Sequence, residues 1–247
     1  MAIWGIDTFC RDTIDKEWVP NCLKSAAGDT TYLHWLLTGW GTALLLAMLA
    51  LVVAMAFGVL MGILRTTPSK LLCFIGDAWT ELFRNIPLIV QLFLWYFVVP
   101  ALVPPFKALP GFVLAFVGLG LFTSSRISEQ VRAGIQSLPK GQRYAGLAVG
   151  FTLPQTYRHV LLPMAFRIVI PPLTSESMNI VKNSSVAFAV SVSELTMFAR
   201  QAGEETSQPI IMYLAATVCY FVSAFAINRF MKWVEVRVRV PGMIGGK

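Results

Sequence analysis

Glu129 to Pro163 reads EQVRAGIQSLPKGQRYAGLAVGFTLPQTYRHVLLP, a polar, cation-rich stretch lodged between very hydrophobic segments. Its punctuation is paired: Leu138-Pro139 and Gly141 on one side, Gly150 and Leu162-Pro163 on the other. Proline cannot continue a helix, and glycine reaches backbone conformations closed to other residues. The spacing therefore predicts a long helix ending at Leu138, a short helix outside the bilayer from about Gln142 to Val149, and a return at Gly150. Gly141 and Gly150 permit turns at the two ends of that short helix. Tyr144, Ala145, Gly146, Leu147 and Ala148 form its body, with the small residues making a narrow, low-entropy ridge, and Arg143 and Arg158 can meet acidic or carbonyl groups on a partner. An ordinary loop between two helices does not require two glycines and two Leu-Pro pairs at these separations.

Working outward, the rest of the chain belongs to a membrane. Of its 247 residues 56% are hydrophobic and 13% charged, with a mean hydropathy of +0.65, too apolar for a soluble domain to cover with polar surface. A helix needs roughly 20 apolar residues to cross the hydrocarbon core. Such runs occur at about Tyr32 to Leu64, Ile86 to Val103, Gly111 to Ser128, Ile168 to Val190 and Ile210 to Met231. The expected fold is all-α: five transmembrane helices and a short helix outside the bilayer, in one transmembrane domain over residues 32–247 with its loop at about 138–163. Residues 1–31 form a retained polar arm, since Asp7, Arg11, Asp12, Asp15, Lys16 and Glu17 interrupt any apolar stretch that could act as a signal peptide.

An odd number of spans puts the termini on opposite sides, and the Lys and Arg distribution chooses between them. Arg65, Lys70 and Arg84, then Arg126, Arg132, Lys140, Arg143, Arg158 and Arg167, then Arg229, Lys232, Arg237, Arg239 and Lys247 fall on one side. Arg11, Lys16, Lys24, Lys107 and Arg200 fall opposite, and Lys182 lies inside a span. The richer side is cytoplasmic and the N-terminus outside. The net charge of +7 follows from loops facing anionic inner-leaflet lipid rather than from nucleic-acid binding. Cys10 and Cys22 share the outer arm, where a disulfide can form, whereas Cys73 and Cys219 act as small apolar residues.

Gly58 and Gly62 make a small-residue face near the inner end of the first helix that permits close helix approach, within the chain's own bundle or, as the alternative, at a dimer seam. Thr67-Pro68-Ser69 breaks the chain at the inner surface. The following DAWTELFRNIPLIVQLFLWYFVV begins amphipathic and turns apolar past Pro87, which predicts an interfacial segment leading into the second span. Pro100, Pro104, Pro105 and Pro110 punctuate a short outer loop.

Charges inside a span are costly unless they face a cavity or a partner, so Glu176 and Lys182 require explanation. At about 100° per residue Glu176, Asn179, Lys182 and Asn183 share an arc of about 120°, and six residues of rise span about 9 Å, near the length of an extended zwitterion. Glu176 is expected to hold an amino-acid ammonium, Asn179 and Asn183 its main-chain end, and Lys182 a carboxylate; pairing of Lys182 with Glu176 or a partner for assembly alone is the alternative. Arg84, Asn85 and Gln91 are further candidates. His34 and His159 are far apart, no metal-ligand spacing occurs, and no GxxxxGK[ST] phosphate loop is present, which argues against catalysis by this chain.

PKGQRYAGLAVGFTLPQTYRHVLLP resembles the EAA-G-I-LP coupling motif of permease subunits of binding-protein-dependent ABC importers, in the form carried by the polar amino-acid importers. Where that family has Glu-Ala-Ala, this chain has Tyr144-Ala145-Gly146. ELFRNIPLIVQLF at 81–93, LLPMAFRIVIPPLTSE at 161–176 and NIVKNSSVAFAVSVSEL at 179–195 carry the resemblance over roughly residues 32–247. The outer arm and the ending VRVPGMIGGK look most like the first of the two permeases in the glutamate/aspartate branch. Ser175-Glu176 matches a family Asn-Glu pattern only at the glutamate. Lys182-Asn183-Ser184-Ser185 stands where relatives read Lys-Asp-Thr-Ser, and Asn183 removes a negative charge.

The resemblance implies a multi-pass protein of a bacterial inner membrane and an alternating-access importer of polar amino acids, glutamate/aspartate foremost. It implies four partners besides the lipid: a second, non-identical permease, an ATPase homodimer, a periplasmic solute-binding protein and the amino-acid substrate. No cofactor belongs to this chain; ATP and Mg belong to the partner ATPase. Residues Gly141, Arg143, Tyr144, Ala145, Gly146, Leu147, Ala148 and Gly150 would then be the lever that docks on the ATPase; importers of glutamine, asparagine or neutral amino acids and an ion-coupled secondary transporter remain as alternatives, the last disfavoured by that lever and by the lack of visible inverted repeats.

Overall fold

The computed structural model describes residues 6–19, 22 and 30–238; Lys24, Arg239 and Lys247 lie outside these, as does most of the ending VRVPGMIGGK. Regular structure among the described residues is helical, apart from isolated bridges pairing Arg11 with Trp18 and Asp12 with Thr31. After a 3-10 turn at Ile6–Cys10 come α1 (Tyr32–Leu64), α2 (Lys70–Asn85), α3 (Leu88–Phe93), a π turn (Leu94–Val98), α4 (Val99–Leu102) and a 3-10 turn (Pro104–Ala108). Then follow α5 (Gly111–Gln136), α6 (Lys140–Ala148), α7 (Leu153–Thr156), a π turn (Tyr157–Leu161), α8 (Leu162–Asn183), a 3-10 segment (Ser184–Val190), α9 (Leu195–Thr206) and α10 (Pro209–Val238).

Among the described residues α1, α5 and α10 are each long and apolar enough to cross a membrane, and Lys70–Asn85 with Leu88–Leu102 adds a fourth crossing if that bent pair is one span. The expected count of five is not confirmed. The segment read as the fourth span is α8 and the 3-10 segment after it; α8 carries Arg167, Glu176 and Lys182 and two prolines, Pro171 and Pro172, and is too polar to pass. At 33 residues α1 is about 50 Å long, well beyond the hydrocarbon core. Both α1 and α10 expose large apolar side chains along their length, among them Met48, Val52, Leu214 and Phe221, as lipid-facing helices do.

The chain packs as two compact units. One comprises Met1–Leu49, Leu92–Phe116 and Val181–Ala224. Its core joins Tyr32, Leu36 and Ala43 of α1 to Leu195, Ala199 and Ala202 of α9 and to Met212 and Ala216 of α10. Gly39 allows the approach: a Cβ there would lie 2.6 Å from the Phe198 ring. Glu194 is fully buried and caps α9, accepting the N–H groups of Thr196 and Met197 at 2.9 and 3.0 Å, while the Tyr220 hydroxyl donates to it at 2.7 Å. The N-terminal arm is tied down by the Cys10–Cys22 disulfide, by the Thr8 hydroxyl donating to Gln208, and by the Tyr32 hydroxyl donating to Glu205 at 3.0 Å.

The other unit comprises Ala50–Gln91, Val117–Ile180 and Phe225–Lys247. Its central seam is α1 against α5. Added Cβ atoms on Gly58, Gly62 and Gly120 would come within 2.6 to 2.7 Å of Ile127, Val131 and Val53, so the small-residue face serves the chain's own bundle, as its spacing suggested. At the end of this seam Arg65, its side chain 3% exposed, donates to Asp77 of α2 at 2.7 Å and to Glu129 of α5 at 2.9 Å. Arg132 and Arg84 add ion pairs to Asp77 and Glu129 at 3.2 and 3.1 Å. The clasp holds the polar face of α2 to the bundle, leaving Leu71, Phe74, Ile75 and Leu82 exposed on the other face. Asn85 and Arg84 bind Glu81 and hold its carboxyl below the usual range, the Asn85 amide contributing most.

Candidate functional site

The sequence-predicted short helix exists as α6, with boundaries two residues earlier at its start and one at its end. Its C-terminus closes as a Schellman motif: the Phe151 N–H donates to the Gly146 carbonyl at 3.2 Å and the Gly150 N–H to the Leu147 carbonyl at 3.0 Å. Gly150 adopts φ +91°, a conformation that disfavours other residues. Gly141 is different. It lies in the first turn of α6, has no positive φ and faces open space, so it is not a turn residue.

Gly146 is the buried face of α6, where a Cβ would meet Thr156 Cγ2 at 2.7 Å. Thr156 is fully buried at the end of α7, and that short helix is fixed by the Thr152 N–H donating to Gln155 Oε1 at 2.8 Å. Next to it, the Tyr157 hydroxyl donates to the Thr66 carbonyl at 2.7 Å, anchoring the loop to the end of α1. Tyr144, Ala145, Leu147 and Ala148 are left exposed, a small ridge with one aromatic on a supported base. Arg143 departs from expectation. Its Nε is buried and has no hydrogen-bond acceptor, so the side chain turns inward from the ridge instead of outward, while Arg158 is exposed as expected. An α-helix presents residues i and i+3 or i+4 on one face, so packing Gly146 inward carries Arg143 with it.

The four expected solute residues all lie on α8. Glu176 is 8% exposed and reaches Arg126 of α5 at 3.9 Å, the outer limit of an ion pair. Asn179 and Asn183 are half-buried, and Lys182 is exposed at the last turn. Pro171 and Pro172 remove two helical donors within α8, while the Thr174 and Ser177 hydroxyls donate back to the Ile170 and Leu173 carbonyls at 3.1 and 2.8 Å. These hydroxyls are satisfied within the helix.

The second-span candidates have other work. Arg84 and Asn85 bind Glu81, with Arg84 also on Glu129, and buried Gln91 donates to the main-chain carbonyls of Phe83 and Ile86 at 2.7 and 3.0 Å. Those carbonyls are freed where the chain turns by 103° after α2 at Ile86-Pro87, so Gln91 satisfies a bend. The Arg65 clasp and the Glu194 cap were not singled out in the sequence. A lone Arg at the end of an apolar run reads as a lipid-boundary marker, and its two carboxylate partners stand 12 and 64 residues away.

Residues 54–240 match the family model for the binding-protein-dependent transport system inner membrane component. The glutamate/aspartate import permease protein GltJ of Escherichia coli (strain K12) is 42% identical over 245 residues, covering 95% of this chain and 100% of the relative. The glutamate/aspartate import permease protein GltK of Escherichia coli O6:H1 is 28% identical over 210 residues, covering 83% of this chain and 94% of that one. A crystal structure of an amino acid ABC transporter with histidines superposes with a TM-score of 0.73 at 25% identity, covering 83% of this chain and 95% of its own. A helical membrane architecture, a glycine-closed surface helix and a match over more than half its length together make this chain a member of the binding-protein-dependent transport system inner membrane component family.

Proposed function

We propose that this chain is the transmembrane permease subunit of an ATP-driven importer of polar amino acids, with glutamate and aspartate as its substrates. The observation that carries the reading is the 42% identity to a glutamate/aspartate import permease across 95% of this chain. The exposed ridge of α6, braced by Gly146 on Thr156, supports a lever that a separate ATPase dimer moves while hydrolysing ATP with Mg; this chain is not the catalyst. A second, non-identical permease completes the membrane domain. GltK, like GltJ a glutamate/aspartate import permease protein, and Tyr144 in the place of the family glutamate both favour that pairing. A soluble binding protein delivers the solute from outside, where the arm with its disulfide lies, and the C-terminus is cytoplasmic, in keeping with the Lys and Arg count of the loops.

Within this reading Glu176 meets the solute ammonium, Asn179 and Asn183 its main-chain end, and Lys182, further along α8, a carboxylate. Proteoliposomes holding the complete complex and its binding protein test the proposal. ATP-dependent uptake of labelled glutamate, inhibited by aspartate and little by glutamine or asparagine, is expected. Uptake driven by a proton gradient without ATP, or a preference for the amides, overturns it.

A further inference from the structure

Behind α6 lies a cavity of about 260 Å³ whose polar lining is Arg65, Thr66, Gln136, Lys140, Arg143 and Tyr157. Among the described residues no carboxylate lines it. The charge of Arg65 is already met by Asp77 and Glu129, but Lys140 and Arg143 have no carboxylate partner among the described residues. The cavity also receives the start of α6, whose N-cap is Pro139 and whose first N–H groups have no side-chain cap.

Two unneutralised cations and a helix start without a side-chain cap border one space, and the ligand they fit is a compact anion with several acceptor oxygens. A phosphate group meets all of them: it accepts fork-shaped bonds from Arg, takes a point charge from Lys, and is favoured at a helix N-terminus. A neighbouring cavity of about 360 Å³ shares Tyr157 as a wall and is lined by apolar residues including Ile63, Leu72, Leu153 and Leu162, room for part of an acyl chain.

We infer that this cavity binds a phosphate group, supplied by an anionic phospholipid headgroup or by the free ion, and that occupancy fixes the base of α6 to the ends of α1 and α5. The inference goes beyond the import reading, since binding needs neither ATPase nor solute. The test is native mass spectrometry of the full-length protein in detergent, titrated separately with phosphatidylglycerol, with phosphatidylcholine and with inorganic phosphate. The expected result is retained phosphatidylglycerol or phosphate, weakened about tenfold in Lys140→Gln and again in Lys140→Gln/Arg143→Gln, the scale of one charge-assisted bond each. Arg143→Lys, which keeps the charge but loses the fork, is expected to bind better than Arg143→Gln, and Arg229→Gln, a cation on α10 outside the cavity, to bind as the parent does. Phosphatidylglycerol retained where free phosphate is not identifies the lipid as the source; phosphate retained equally well identifies the free ion. Affinity unchanged in the double variant, or reduced as much by Arg229→Gln, overturns the site, and matched thermal midpoints separate either outcome from misfolding.

Discussion

Gly146 leaves no space for a side chain on the inner face of α6, because Thr156 stands 2.7 Å from where its Cβ would be and is itself fully buried. Gly146→Leu is therefore expected to cost about 1–3 kcal/mol by overpacking and to lift the ridge off its base. ATP-driven uptake falls steeply while the protein still inserts, which assays of transport beside membrane abundance separate. Arg65→Met tests the clasp. Removing one partner of a fully buried ion pair costs about 3–5 kcal/mol, but Asp77 and Glu129 are 46% and 36% exposed and regain water, so about 2 kcal/mol is expected, read as a lowered thermal midpoint in detergent. On α8, Glu176→Gln and Lys182→Met are expected to weaken glutamate uptake about tenfold each, the scale of one lost charge-assisted bond, with Lys182→Met also shifting preference toward neutral amino acids. Unchanged affinity and preference in both variants removes the solute role.

At the scale of elements, α6 is the contact proposed for the ATPase. Cysteines placed at exposed Ala145 and Ala148 are expected to crosslink to that subunit, whereas one at Gly141 on the far end of the helix is expected to do so less. The existence of α6 was legible because prolines and glycines act locally: Pro139 and Gly150 bound it whatever surrounds them. The close packing of α1 was legible for the same reason, since Gly58 and Gly62 lie four apart on one helix face. Less could be read where tertiary contact decides. Arg143 turned inward because Gly146 had to, Gly141 proved an ordinary helical residue, and Gln91 proved a main-chain ligand at a 103° bend whose size no propensity encodes. The span expected at α8 is not confirmed: α8 buries Thr174, Glu176 and Ser177 in protein, so its composition does not resemble that of a lipid-facing helix.

At the scale of the whole molecule, each unit has its own fastening: the arm and α9 are tied by a disulfide and a buried glutamate cap in one, the helix ends by an arginine clasp in the other. The arm's bridge closes across 12 residues and contributes about 3 kcal/mol locally. Denatured without reductant, the protein is expected to accept alkylation only at Cys73 and Cys219; after reduction Cys10 and Cys22 react as well, a difference read in intact mass. With the arm outside, as proposed, such a bond forms in an oxidising compartment and doubles as a molecular receipt of insertion. A copy threaded backwards would carry its first two cysteines as thiols, so the fraction of reduced arm in a purified membrane counts the copies that the insertion machinery oriented wrongly.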